Sequence, residues 1–163
     1  MNNIPEEIKI LSPYDEYPSL VDRELVLQNS RVIIEYLDER FPHPPLLPVD
    51  PISRAKFRLA LNEIEHSWYT KYAEAYNDEV LDDKFVTEIK TYFLEIAPLI
   101  KRKFFMSDDF GLVDCSIAPL LWRLKSLDFD LAENNKVIGD YSERIFEREA
   151  FQESLTETEK ELF

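Results

Sequence analysis

Apolar positions recur along this chain at two different periods. In residues 17–28, YPSLVDRELVLQ, two short β-rich runs flank the polar break Asp22-Arg23 and predict a hairpin. Such a hairpin is marginally stable alone. From Ser30 the spacing lengthens. Ile33, Ile34 and Leu37 in SRVIIEYLDERF put apolar side chains on one side of a helix, with Ser30 as its expected N-cap. That helix runs into DERFPHPPLLPVDP, residues 38–51, which holds five of the chain's ten prolines. Each proline fixes its own φ, removes a backbone donor and disfavours helix in the residue before it. A stiff, irregular connector is predicted here.

Helical spacing dominates after the connector. Asp50 followed by Pro51 reads as a helix start, a capping carboxylate with proline at the first helical position. The stripe Phe57, Leu61, Ile64, Trp68, Tyr72 and Ala75 then predicts a long amphipathic helix. A second stripe uses Phe85, Ile89, Tyr92, Ile96 and Leu99, with Pro98 expected to kink or end it. Gly111-Leu-Val-Asp114 precedes Ile117, Leu120, Leu121 and Leu124, and Asp114 is placed to reach back to the amide at the helix start. A last helix is expected from Lys136 to Phe151 on Ile138, Tyr141, Ile145 and Phe146, followed by a fraying tail, TETEKELF. Residues 1–41 thus form an α/β N-terminal part, 42–50 a proline-rich connector and 51–163 an all-α domain, with no internal repeat.

Composition narrows the function classes. A chain of 163 residues, 45% apolar and 13% aromatic, can bury a sizeable core. Against 19 Lys and Arg stand 33 Asp and Glu, a net charge of −14. Phosphate backbones are bound mainly by Lys and Arg, so direct nucleic-acid binding is not expected, and a basic protein surface suits this charge better. Cys115 is the sole cysteine, which excludes an internal disulfide, and one Cys with two separated His gives no metal-ligand cluster. Two glycines cannot build a phosphate-cradling loop. No apolar run approaches a membrane span and MNNIPEEIK has no signal-peptide pattern, so the expected location is cytoplasmic.

Several stretches carry a family resemblance. YPSLVDRELVLQNS resembles the second half of the thioredoxin-like domain of glutathione transferases, and DPISRA with GLVDCSIAPLLWR resembles their helical second domain. More specifically, LVDREL, EYLDERFPHPPLLPV, LVDCSIAPLLWRL and RIFERE resemble the stringent starvation protein A family of that superfamily. The resemblance implies a glutathione transferase-like fold with an incomplete thioredoxin-like domain at residues 1–41. It implies a homodimer without transferase activity, catalytic residues or cofactor. It also implies regulation of transcription under starvation and stress by docking on RNA polymerase holoenzyme, sigma factor included. The partner-binding residues it implies are Pro42, His43, Pro44 and Pro45, and a cis bond is expected before Pro18.

Two departures stand out. Asp50 occupies a position near the loop where the family pattern leads us to expect an aromatic residue. The superfamily's first strand and helix, which bring its catalytic Tyr, Ser or Cys, have no counterpart, and a truncated reading of a longer gene is the expected reason.

The bland alternatives are specific. His43 is a docking imidazole or a solvated loop histidine; its prolines are a pre-ordered surface or a rigid linker. Asn29-Ser30 is a glutathione carboxylate site, as the alternative transferase or reductase reading requires, or an ordinary helix cap. His66 reads as structural or exposed, Cys115 as a small buried thiol, and Trp68 and Tyr72 as packing. Trp68, Tyr69, Tyr72 and Tyr76 together offer more apolar surface than one core needs, which favours a symmetric dimer.

Overall fold

The computed structural model describes residues 18–76, 83–100, 102–126 and 129–161, and the chain divides into two units, Met1–Leu46 and Leu47–Phe163. In the first unit, strands β1 (Ser19–Asp22) and β2 (Leu25–Gln28) pair antiparallel with Asp22 opposite Leu25. The turn is therefore Arg23-Glu24, one residue later than the break Asp22-Arg23 suggests, and Arg23 takes the left-handed φ of 57°. Helix α1 (Ser30–Arg40) follows.

Its cap is Asn29, not Ser30: at φ 75° the Asn29 side chain accepts from the amides of Arg31 and Val32. Asn tolerates a left-handed backbone and has the acceptor for this role, which moves Ser30 into the first helical turn. Ile33 is buried and Ile34 half-buried, but Leu37 is exposed and Asp38 takes the buried place beside it. The hairpin is tied to α1 by the Tyr36 hydroxyl, which donates to Asp22 Oδ2 at 2.6 Å. That bond raises the Tyr36 pKa above its ordinary value. The Tyr17–Pro18 bond expected to be cis lies outside the described residues.

The second unit opens with α2 (Pro51–Glu63), whose first turn is capped by Asp50 Oδ2 accepting from the Ser53 amide at 2.8 Å. A π-helical segment, Ile64–Tyr69, continues it into α3 (Thr70–Tyr76). Phe57, Leu61, Ile64, Trp68 and Tyr72 are all buried, as their spacing predicts. Steps of four, three, four and four residues outrun the 3.6-residue turn, and the wider π winding restores the phase of the stripe. Trp68 and Tyr72 are thereby spent on the core, so only Tyr69 of the expected dimer aromatics is an exposed one; the Tyr76 side chain lies outside the described residues.

Helix α4 (Asp83–Ile96) passes into a 3₁₀ turn, Ala97–Ile100, at Pro98. Its buried stripe is Phe85, Ile89, Phe93, Ile96 and Ile100, so Phe93 and Ile100 replace the expected Tyr92 and Leu99. Tyr92 is partly buried, and desolvation pushes its pKa up to about 12. Helix α5 (Leu112–Ser126) carries Pro119 inside it. The carbonyl of Ser116, three residues before that proline, accepts the Tyr69 hydroxyl at 2.9 Å.

Asp114 reaches back as expected, with Oδ2 accepting from Gly111 N at 2.7 Å. It does more than cap. Oδ1 accepts from Phe105 N at 3.0 Å and from the Tyr141 hydroxyl at 2.6 Å, joining α5, the preceding turn and the last long helix. Burial raises the Asp114 pKa even though these three donors pull the other way. The short helix α6 (Leu131–Asn134) packs against α7 (Lys136–Phe146) where Gly139 meets Ala132.

The helix expected to run to Phe151 breaks at Arg148, whose ψ is 131°, and resumes as α8 (Glu149–Ser154). Gln152 Nε2 donates to the Phe146 carbonyl across the break at 2.6 Å. Instead of fraying, the tail forms α9 (Glu157–Lys160) with a complete capping box, Thr156 accepting from Glu159 N and Glu159 accepting from Thr156 N. Among the described residues no helix is long and apolar enough to cross a membrane.

Candidate functional site

The proline loop leaves α1 at Phe41, whose amide donates to the Leu37 carbonyl at 2.9 Å. His43 N donates to the Phe41 carbonyl at 2.9 Å, a tight turn about Pro42, and the His43–Pro44 peptide is cis. Asp38, only 8% exposed, then accepts from the Leu46 amide at 2.6 Å and draws the returning chain back to the helix. Residues 41–46 contain three prolines, which have no N–H, and three residues that do. All three of those donors are engaged. No amide in the loop is left to water, and Pro42, His43, Pro44 and Pro45 are nonetheless exposed. Beside them Phe41 is 66% exposed, with the Arg40 guanidinium 5.4 Å from its ring centre.

The loop is thus a rigid, displayed surface with an imidazole, an aromatic ring and a guanidinium at hand. Sequence reasoning does not single out Asp38 or Phe41. Asp38 does carry a signal, since a carboxylate in the last helical turn opposes the helix dipole and needs another reason to be there. Asp50 lies in the other unit as the cap of α2, and the Ser53 amide lowers its pKa.

The residues of the glutathione reading are not brought to this loop. Ser30 lies at the opposite end of α1, an 11-residue helix, so roughly 16 Å of helical rise separates them. Moreover, the Arg31 and Val32 amides that would receive a carboxylate already donate to Asn29. His66 is exposed, with Nδ1 3.0 Å from the Asn62 carbonyl oxygen, and Cys115 is half-buried rather than fully buried. Among the described residues no group of three His, Cys, Asp or Glu could hold a metal ion.

Comparison with known proteins gives this architecture its context. Residues 1–45 match the glutathione S-transferase N-terminal domain and residues 49–149 the glutathione S-transferase C-terminal domain. Glutathione transferase Omega 3C from Trametes versicolor superposes with a TM-score of 0.82 at 16% identity, covering 94% of this chain and 73% of that one. A glutathione S-transferase from Rhodospirillum rubrum gives 0.79 at 22%, covering 94% and 76%. These establish the glutathione transferase-like fold. The stringent starvation protein A homolog of Haemophilus influenzae is 48% identical over 157 residues, which is 94% of this chain and 74% of that protein. Its counterpart in Coxiella burnetii is 46% identical over 166 residues, 99% and 78% of the two chains. The chain therefore belongs to the stringent starvation protein A family of the glutathione transferase-like superfamily.

Proposed function

We propose that the protein is a non-enzymatic transcription regulator that docks on RNA polymerase holoenzyme, sigma factor included, through Pro42, His43, Pro44 and Pro45, and that it works in the cytoplasm as a homodimer. One observation carries the reading: a loop whose every amide is either absent or internally bonded, yet whose side chains are exposed. Order of this kind precedes binding, so a partner loses little conformational entropy in fixing the loop. The net charge of −14 supports a basic protein surface as partner and disfavours direct contact with nucleic acid.

The test is capture of RNA polymerase by the purified protein and by a variant carrying Pro42→Ala, His43→Ala and Pro44→Ala. The variant should lose polymerase while keeping its helix content. Each lost proline reduces stability by about 0.4–1 kcal/mol, so folding is checked alongside. Wild-type capture by the variant would make the segment a mere hinge. Glutathione conjugation that is abolished by Ser30→Ala would favour the transferase reading instead.

A further inference from the structure

The cavity bounded by the end of α5, by α6 and by α7 has no part in the docking reading. It holds about 480 Å³, within the span typical of small-molecule sites. Phe129, Leu131 and Phe146 line it and are all buried, giving it an apolar wall. Its lining also includes two exposed carboxylates, Asp130 and Glu143, together with the exposed Lys125. Asp130 Oδ1 accepts from Glu133 N at 2.8 Å, which holds that carboxylate at the start of α6. Neither Asp130 nor Glu143 forms an ion pair among the described residues. The Lys125 ammonium lies over aromatic faces, 5.6 Å from the Trp122 ring centre and 6.0 Å from that of Phe146.

Two carboxylates without a cationic partner, above an apolar wall, ask for a ligand that is both positive and hydrophobic. At one ring of this wall, Phe146, a nearby cation is already realised by Lys125, and such contacts are favourable for ammonium groups. An anion would meet two like charges and one opposite charge within a chain of net charge −14. We propose that this cavity binds a small organic cation of the aralkylamine class, its ammonium between Asp130 and Glu143 and its ring against Phe129, Leu131 and Phe146.

The experiment titrates the full chain with phenethylamine and, separately, with phenylacetate, following protein amide shifts by NMR. Saturable binding of phenethylamine is expected, at least about tenfold tighter than phenylacetate. The pair Asp130→Asn and Glu143→Gln should weaken the amine by about tenfold or more, since Asn still caps a helix but neither amide carries charge. Lys125→Gln removes a competing cation and should leave the amine affinity equal or tighter. Equal affinity for the two probes, or undiminished amine binding in the double variant, would overturn the proposal. So would the absence of saturable shifts up to about 10 mM in the folded protein. Binding of trilysine without binding of the amine would overturn it in favour of a basic peptide. If the double variant misfolds by circular dichroism, the phenylacetate and Lys125→Gln arms decide.

Discussion

Asp38 owes its burial to the loop rather than to its helix, because its carboxylate accepts the Leu46 amide at 2.6 Å. Asp38→Ala should leave that amide without its partner and reduce stability by about 1–3 kcal/mol. Asp38→Asn keeps an acceptor oxygen and should lose less. Urea midpoints rank the two, and amide exchange at Leu46 should accelerate more than at Ile33 in the Ala variant. Asp114 makes a different prediction. Its folded pKa lies above the ordinary 3.8, so between those values the folded chain holds a proton that the unfolded chain has released. Stability from this group is complete below 3.8 and is lost as pH rises through the folded value. Asp50 works oppositely: its pKa is lowered, so its contribution is present above 3.8 and lost on acidification. Replacing Asp114 by Asn should therefore flatten the fall in urea midpoint on raising pH from about 4. An unchanged slope would remove Asp114 from the account. The capping half of its role is legible in the spacing Gly111 to Asp114; its bonds to Phe105 and Tyr141 depend on tertiary placement that no local pattern encodes.

Elements whose apolar stripe lies on a single face are legible in the sequence, and those where two faces compete are not. Phe57 through Tyr72 offer one stripe, and all five of its described core residues are buried. In α4, Tyr92 and Phe93 both fit a helical period, and the ring without a hydroxyl takes the core position. This follows from the cost of burying a polar atom without a partner. The end of α7 escapes prediction because Gln152 satisfies the Phe146 carbonyl from beyond the break, a long-side-chain bond that periodicity ignores. The capping box at Thr156 and Glu159 is written in the sequence as Thr-x-x-Glu, but the polarity of the tail masks it. Packing of α6 on α7 depends on Gly139. A Cβ there would stand 2.6 Å from both Cα and Cβ of Ala132 and 3.0 Å from its N. Gly139→Ala should cost about 1–3 kcal/mol in urea unfolding, because a backbone atom must move. Adding Ala132→Gly should restore little, since the backbone of residue 132 would still stand in the way of the new methyl group.

At the scale of the molecule, the aromatic run from Trp68 to Tyr76 keeps Tyr69 exposed among its described side chains, and α2 displays larger aliphatic exposure. Ile52 and Leu59 are 69% and 70% exposed and lie seven residues apart, hence on one face of α2. If that face pairs two copies, Leu59→Glu should convert a dimer into a monomer in sedimentation at micromolar concentration. An unchanged sedimentation coefficient would move the interface elsewhere. If the proposed docking draws on the chain's charge of −14, polymerase capture should weaken with added salt, though less steeply than protein–DNA binding does. The proline loop adds a selection rule of another kind. The carbonyls of Pro42, His43, Pro44 and Pro45 accept no hydrogen bond among the described residues, whereas no amide of residues 41–46 remains to donate. The main chain here can receive protons but cannot offer them. A passing β-strand, which must trade donors for acceptors in both directions, finds only half of its ladder and cannot extend across the loop. The same backbone rewards a partner rich in N–H groups, so the loop screens out promiscuous strand pairing while remaining open to arginine, lysine or tryptophan.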